Sequence, residues 1–307
     1  MFDKTLIYKR MRGYRMKGRL EPDTPLSAET SFRIGGPADI LFVPDNIAEA
    51  VRVVKLCNRE KIPLTILGNG TNVLVLDGGV RGIVMKLSSL CELKRERGRV
   101  FAGAGARLGD VCAYARDEGL SGLEFACGIP GSAGGAVCMN AGAYGGEMKD
   151  VVSRSVVLEP DGNICLFDVK GHGFAYRQSA FQHNGCAILE TEFALTQGDI
   201  GAVTAKMEGY ISRRQASQPM DAPSAGSVFR RPAADGAYVG PMIEKCGLKG
   251  ARCGGAQVSD KHAGFIINVG GATAADVLAL IERVRSAVYA HFCVELETEI
   301  RLLGEQL

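Results

Sequence analysis

Two glycine-rich stretches decide what this chain can build: Gly68-Asn69-Gly70-Thr71-Asn72 and Gly128-Ile129-Pro130-Gly131-Ser132-Ala133-Gly134-Gly135. Both follow predicted strands, and their small side chains leave backbone N–H groups open, so either loop could cradle a pyrophosphate. Neither is a Walker loop, because no Gly-Lys-Ser/Thr follows. The Gly-x-Gly-x-x-Gly dinucleotide pattern also fails, at Gly68-Asn69-Gly70 and again at Gly103-Ala104-Gly105, which disfavours a Rossmann fold. The alternative is that these glycines only permit tight turns.

Around these loops the sequence alternates between predicted strands and helices. An Asn46-x-x-Glu49 start resembles a capping box for the first long helix. A Pro-Asp-Gly-Asn turn at 160–163 predicts a hairpin between Val156–Glu159 and Ile164–Phe167. The other predicted elements are strands at 39–43, 63–67, 82–87 and 99–104, and helices at 46–60, 108–118 and 202–215.

The last hundred residues predict a second domain, with a boundary near Gln197-Gly198-Asp199, where the strand pattern stops. Its clearest element is a helix from Ala274 to Phe292, whose apolar residues recur at helical spacing behind a possible cap at Thr273. This helix should pack on a sheet. Residues 294–302 alternate apolar and charged side chains, which predicts a half-buried strand.

Composition excludes several classes of protein. A chain of 307 residues with 46% hydrophobic residues is long enough for about two domains. It contains no apolar run near the roughly 20 residues that span a bilayer and no secretory signal, so we expect a cytoplasmic protein. The ten cysteines and four histidines lack metal-ligand spacing, so we expect reduced thiols and no metal. A net charge of +2 does not favour nucleic acid or membrane partners.

The N-terminal segment is the one strongly basic region. Residues 1–19 carry seven Lys or Arg against one Asp. Such a run can bind phosphates, but the favoured interpretation of this basic leader, residues 1–25, is a solvated or partly frayed leading helix.

Seven motifs, in order along the chain, are similar to those of the UDP-N-acetylenolpyruvoylglucosamine reductases (MurB family). The resemblance covers nearly the whole chain after about residue 20. The chain lacks the inserted tyrosine-bearing loop of the longer class in this family, so it resembles the short second type. The motifs are Thr30–Ala38, Gly68–Val75, Gly128–Gly135, Asn140–Gly145, Tyr176–Ser179, Pro223–Phe229 and Leu296–Arg301.

The resemblance implies an α+β fold. Residues 26–200 would form a two-part FAD-binding domain of the vanillyl-alcohol-oxidase type, split near 90–98, and residues 201–307 a smaller α/β substrate-binding domain. FAD would be held noncovalently. Its binding residues would come from the two glycine-rich loops: Gly68, Asn69, Gly70, Thr71, Asn72, Gly128, Ile129, Pro130, Gly131, Ser132, Gly134 and Gly135.

The resemblance also implies a reaction, the reduction of UDP-N-acetylglucosamine enolpyruvate to UDP-N-acetylmuramate by NADPH through FAD, for peptidoglycan synthesis. Arg177 would pair with the substrate carboxylate, Ser227 would protonate the enolate carbon, and Glu299 would act with Arg177 at the carboxylate end. From the residues alone, Arg177 is more often a surface ion pair, Ser227 a loop hydroxyl, and Glu299 one of several solvated carboxylates on one strand face. The expected assembly is a monomer.

Substrate contacts are less determined. Many relatives have Lys-Gln-Pro where this chain has Ser217-Gln218-Pro219, so a cation expected near the UDP phosphates is missing. An arginine could replace it, and Arg214 and Arg231 are our candidates, with Arg213 and Arg230 as alternatives. Tyr176 and Tyr144 would be aromatic walls or core residues, and His262 a nucleotide contact or a satisfied interdomain histidine.

Two rival functions remain at this stage. A flavin oxidase of the same cofactor fold would react rapidly with oxygen, although neither glycine loop carries a histidine suited to covalent FAD. A nucleotide-sugar sensor would be colourless, and it would not need Arg177, Ser227 and Glu299 together.

Overall fold

The structure is a computed structural model that describes residues 3–232 and 238–307. Its α-helices are α1 Lys4–Gly13, α2 Ile47–Glu60, α3 Leu108–Asp117, α4 Ala133–Cys138, α5 Val169–His172, α6 Ile200–Ser217, α7 Val239–Lys245 and α8 Ala274–Phe292. Its strands are β1 Arg19–Pro25, β2 Pro37–Val43, β3 Leu64–Leu67, β4 Val73–Val75, β5 Val80–Lys86, β6 Leu93–Glu96, β7 Arg99–Gly103, β8 Leu120–Ser121, β9 Gly142–Ala143, β10 Gly146–Glu147, β11 Val152–Leu158, β12 Ile164–Asp168, β13 Ala187–Phe193, β14 Thr196–Gln197, β15 Ser224–Ser227, β16 Arg252–Cys253, β17 Ala256–Val258, β18 Phe265–Asn268 and β19 Arg301–Leu303.

The chain divides into two compact units. The first contains residues up to 22 together with 40–69 and 82–214, and the second contains 23–39, 70–81 and 215–307. The units differ from the domains predicted at 26–200 and 201–307. Most of α6 lies in the first unit, because Val203 and Met207 are buried in its core, whereas β4 lies in the second because it pairs in parallel with β19.

The first unit has a five-stranded antiparallel sheet in the order β12-β11-β13-β7-β6 and a sheet in the order β1-β2-β5-β3. The predicted hairpin at 160–163 forms, with Leu158 opposite Ile164. Strands β3 and β5 pair in parallel, from Leu64 with Ile83 to Leu67 with Lys86. Because β3 ends at Leu67, the glycines that follow leave the sheet at its carboxyl end.

The basic N-terminal segment forms the predicted helix, but that helix is packed rather than solvated or frayed. It forms α1, capped by the Asp3 side chain, and Ile7 and Met11 are buried in the core of the first unit. The many charges of this segment predicted a solvated helix. The two apolar residues lie one helical turn apart, and they give the helix a face that packs against the core.

The start of α2 is capped differently from the expected capping box. The Asn46 side chain accepts the Glu49 N–H, as predicted. The Glu49 carboxylate does not return to Asn46, since it accepts N–H groups from Lys17 and Gly18 at 2.6 and 3.0 Å. It therefore ties the end of the N-terminal segment to α2.

The second unit is a sheet in the order β15-β18-β17-β16, covered by α8. Helix α8 begins at the predicted residue with a full capping box between Thr273 and Asp276. The Asp77 carboxylate also accepts the N–H groups of Ala274 and Ala275. The predicted apolar face is buried in the second core, at Val277, Leu280, Ile281, Val284 and Val288.

The predicted strand over 294–302 is wrong for most of its length. Only β19 is a strand, and Leu302, expected on the buried face, is 47% exposed. The preceding residues instead follow the segment after β15, where Glu299 N–H donates to Val228 O and Arg230 N–H to Glu297 O. Leu296 and Ile300 are buried there. The alternating pattern therefore marked which side chains are buried, although the backbone between them is not a regular strand.

Candidate active site and cofactor loops

The loop after β3 keeps unpaired donors. Within residues 3–232 and 238–307, the backbone N–H groups of Gly68, Asn69 and Gly70 donate no hydrogen bond. A Cβ at Gly68 would lie 2.8 Å from Ser132 Oγ, and one at Gly70, where φ is +64°, would lie 2.6 Å from the Glu29 carbonyl oxygen. The position of Gly70 therefore requires glycine, and a side chain at Gly68 would displace the Ser132 hydroxyl. The N–H groups of both residues are available to an anion.

The second glycine-rich stretch is not a simple loop of open donors, which corrects the expectation. Its last residues begin α4, because Ser132 caps the helix by accepting the Gly135 N–H. Three further N–H groups are used inside the protein: Ile129 donates to Ala126 O, Ala133 to Ala106 O and Gly134 to Ala104 O. The small residues serve close packing, since a Cβ at Gly134 would lie 2.7 Å from Ala104 Cβ.

Arg177 lies at the tip of a tight turn. Ala175 and Gln178 exchange two backbone hydrogen bonds, of 3.1 and 3.0 Å, around Tyr176 and Arg177. Arg177 has a φ of +56°, which an arginine rarely adopts. Its Nη2 donates to Gly142 O at 2.9 Å, so one edge of the guanidinium is anchored.

The aromatic residues near this turn have different surroundings. Tyr176 is 47% exposed, and its ring lies 5.1 Å from the Arg177 guanidinium carbon. Tyr144 stacks on Tyr210 with ring centroids 4.1 Å apart and donates its hydroxyl to Tyr210 O. Tyr144 is 39% exposed, so neither Tyr144 nor Tyr176 is a core residue. Tyr210, on α6, was missed by sequence reasoning because no motif contains it.

Arg214, in the last turn of α6, runs along the second glycine stretch. A Cβ at Gly128 would lie 3.1 Å from Arg214 Cδ. Its Nε is buried without a hydrogen-bond partner. Burial lowers the pKa of Arg214, and the charge of Arg177 acts in the same direction, against the effect of Tyr144. Because arginine stays protonated even so, this half-buried cation with a buried, unsatisfied Nε is well suited to an anionic ligand group.

In the second unit, backbone pairing brings the Ser227 and Glu299 segments together. Glu299 N–H donates to Val228 O at 2.7 Å, and Phe229 forms a bridge with Thr298. The Asn72 amide holds the Glu299 carbonyl at 3.2 Å. Glu295 and Glu297 are exposed whereas Glu299 is half-buried, a distinction that strand periodicity could not make.

His262 lies near Ser227, across Gly264. A Cβ at Gly264 would be 2.9 Å from His262 Cε1 and 3.5 Å from Ser227 Oγ. His262 Nδ1 accepts the Gly264 N–H, so a proton on a neutral imidazole is assigned to Nε2. Burial lowers the pKa of His262, which favours that neutral form.

The candidate cations of the second unit are Arg230 and Arg231. Arg231 is exposed, and its guanidinium carbon lies 4.0 Å from the centroid of the Tyr238 ring. Arg230 pairs with Glu297 at 3.4 Å and keeps a buried Nε without a partner. These contacts do not select between Arg230 and Arg231.

Comparison with known proteins first identifies the class. Residues 38–168 match the sequence model of the FAD binding domain family. The N–H groups of Gly68, Asn69 and Gly70, which donate no hydrogen bond within the described residues, fit the pyrophosphate of that cofactor. The chain is therefore an FAD-dependent oxidoreductase, and the expected α+β fold with an FAD-binding domain is confirmed.

The chain belongs to the UDP-N-acetylenolpyruvoylglucosamine reductase family of peptidoglycan synthesis. Residues 218–303 match the model of the C-terminal domain of that reductase. A Clostridium botulinum reductase of this name is 46% identical over 284 residues, 92% of each chain. One from Listeria monocytogenes is 47% identical over 92% of this chain and 94% of its own. The crystal structure of the Thermus caldophilus enzyme matches with a TM-score of 0.80 and 33% identity, covering 94% of this chain and 100% of that one.

Within residues 3–232 and 238–307, no helix is both long and apolar enough to cross a bilayer.

Proposed function

We propose that this chain uses NADPH to reduce UDP-N-acetylglucosamine enolpyruvate to UDP-N-acetylmuramate, in the cytoplasm and as a monomer. The observation that supports it best is the pairing between the Ser227 and Glu299 segments, because it gathers a hydroxyl and a carboxyl group from distant parts of the sequence. Bound FAD supplies the hydride that reaches the vinyl carbon of the substrate.

Arg177 and Glu299 act on the carboxylate end of the substrate. Hydride addition leaves an enolate-like charge next to a carboxylate, and this charge must be stabilised in place. Arg177 pairs with the carboxylate, since its Nη2 is fixed on Gly142 O and the rest of the planar fork carries further donors. Glu299 acts at the same end of the substrate.

Ser227 donates the proton that completes the reaction. Within the described part of the chain, the one hydrogen bond that its hydroxyl donates is a long bond of 3.3 Å to Phe229 O, so the protein binds this proton weakly. Arg214 and Arg231 contact the UDP phosphates. They replace the lysine that many relatives have at the position of Ser217. His262 contacts the nucleotide, and Tyr176 forms a wall of the site.

The cofactor residues follow the two glycine-rich segments. Backbone groups of Gly68–Asn72 hold the pyrophosphate. The segment Gly128–Gly135 contributes mainly through close packing.

Two half-reactions, measured separately without oxygen, test this assignment. NADPH should bleach the flavin absorbance of the purified protein, and adding the enolpyruvyl sugar should restore it promptly. Ser227→Ala should leave bleaching by NADPH near normal and slow the restoration by roughly 10²- to 10⁴-fold. Ser224→Ala, at the other end of β15, is the matched control and should slow neither step.

Two results would overturn parts of the proposal. If the wild-type flavin stays reduced until air is admitted, the assigned substrate is wrong. If Ser227→Ala slows both half-reactions equally, the serine is not the proton donor.

A further inference from the structure

Asn140 is a fully buried polar residue at an unusual backbone position. It lies two residues after the end of α4, is 0% exposed and has a φ of +41°. Asparagine tolerates the left-handed region better than most residues, but the conformation remains uncommon. A buried, locally unfavourable residue of this kind persists only where the surrounding contacts determine it.

The Asn140 amide uses both of its N–H donors and its carbonyl oxygen for such contacts. Its Nδ2 donates to Glu147 Oε2 at 3.0 Å and to Ala175 O at 2.9 Å. Its Oδ1 accepts the Lys149 N–H at 2.9 Å. The partners also fix which end of the amide is nitrogen, because two acceptors face one end and a donor faces the other.

These contacts converge on the arginine turn. Ala175, held by Asn140, closes the turn that carries Arg177. Glu147, also held by Asn140, lies directly opposite Gly142 in the β9–β10 hairpin, and Gly142 O receives the guanidinium of Arg177. One buried amide therefore connects the backbone that carries Arg177 with the hairpin that anchors its side chain.

We propose that Asn140 is the positioning residue for Arg177, setting the place of the guanidinium through Ala175 on one side and the Gly142–Glu147 hairpin on the other. The inference rests on the proposed role of Arg177 at the substrate carboxylate. Gln182 supports the same turn from the other side, since its Nε2 donates to Arg177 O at 3.0 Å.

Asn140→Gly is the sharpest deletion, because glycine adopts a φ of +41° without strain and only the amide is lost. We expect reduction by NADPH to be unchanged and reoxidation by the enolpyruvyl sugar to slow by roughly 10- to 100-fold, as for a reacting group displaced by about 1 Å. Asn163→Gly removes an exposed amide from the β11–β12 turn of the same unit and should change neither rate.

A double-mutant cycle separates positioning from general structural support. If Asn140 acts through Arg177, Asn140→Gly should slow reoxidation less than about threefold in an Arg177→Ala background. Full, additive slowing in that background would overturn the inference. Failure of the wild-type protein to pass electrons to the enolpyruvyl sugar would instead refute the proposed function, so the two failures are distinguishable.

Asn140→Asp adds a pH readout that a purely structural role would not produce. A neutral carboxyl group there can still donate to Ala175 O and accept the Lys149 N–H, whereas an ionised one would repel both Ala175 O and Glu147. Relative to wild type at each pH, reoxidation by this variant should recover as pH falls. A constant ratio from pH 8 to 5.5, with the protein folded throughout, would count against the proposal.

Discussion

Replacing Gly134 with alanine should destabilise the first unit although it introduces a better helix former. Gly134 is the second residue of α4, and an alanine Cβ there would lie 2.7 Å from Ala104 Cβ. Carbon atoms in contact lie about 3.5 to 4.0 Å apart, so one of the two backbones must move by nearly 1 Å. Neither is free to do so, because Gly134 N–H donates to Ala104 O at 2.9 Å and Ala104 N–H to Leu189 O at 2.8 Å.

The magnitude follows from two opposing effects. Overpacking a core costs about 1 to 3 kcal/mol, and the upper end applies here because two methyl groups fixed on backbone have no rotamer to change. The helix preference of alanine over glycine returns about 1 kcal/mol. The net loss is about 1 to 2 kcal/mol, or a Tm lower by roughly 3 to 6 °C for a unit of this size.

Thermal unfolding followed by circular dichroism, at a fixed excess of FAD, measures this loss. Gly209→Ala is the matched control: Gly209 lies inside α6 with nothing within 4 Å of an added Cβ, so the same substitution should stabilise by about 0.5 to 1 kcal/mol. We also expect Gly134→Ala to purify with less bound flavin, because the proposed cofactor segment Gly128–Gly135 includes the first residues of α4. A Tm equal to or above that of wild type for Gly134→Ala would refute the packing argument.

Two further substitutions test local features of each unit. Thr273→Ala removes the acceptor of the Asp276 N–H at the start of α8 and should cost about 1 kcal/mol, seen as a lower urea midpoint with an unchanged slope. Burial lowers the pKa of His172 in the folded protein. Below about pH 6.5 the unfolded chain therefore takes up a proton before the folded protein does. The stabilisation by neutral His172 is complete above that pH and is lost as pH falls through the lower pKa of the folded protein. In His172→Gln, the free energy of unfolding should therefore fall less steeply as pH is lowered, by up to about 1.4 kcal/mol per pH unit. The exposed-site control His183→Gln should leave this slope unchanged. Equal slopes for wild type and His172→Gln would refute the explanation.

Features governed by neighbours in sequence were predictable. The start of α8 at Ala274 and its buried face follow from a cap and a 3.6-residue period, both of which act within a few residues. The β11–β12 hairpin follows from its turn residues for the same reason. The strand expected over 294–302 failed because an alternating pattern reports which side chains are buried, not whether a neighbouring strand is present to pair with them.

The site residues show the same division. The motifs carried Arg177, Ser227 and Glu299 as candidates, and in the second unit the structure places the segments of Ser227 and Glu299 side by side. The motif Asn140–Gly145 contained Asn140 but gave it no role, and no motif contained Tyr210, because their contacts reach residues 35 and 66 positions away. The sequence of the 128–135 stretch predicted open donors, whereas most of its N–H groups donate hydrogen bonds within the protein.

The sequence by itself determined the family, the cofactor class and the local elements, because motif order, helix caps and turn residues are properties of short stretches of chain. Only the tertiary structure decided which N–H groups stay unpaired after β3, why Glu299 differs from its neighbouring carboxylates, and how Asn140 holds the Arg177 turn. Each of these depends on whether a particular donor or acceptor meets a partner from a distant segment. That is settled when the chain packs, since a buried polar group is costly unless it is satisfied.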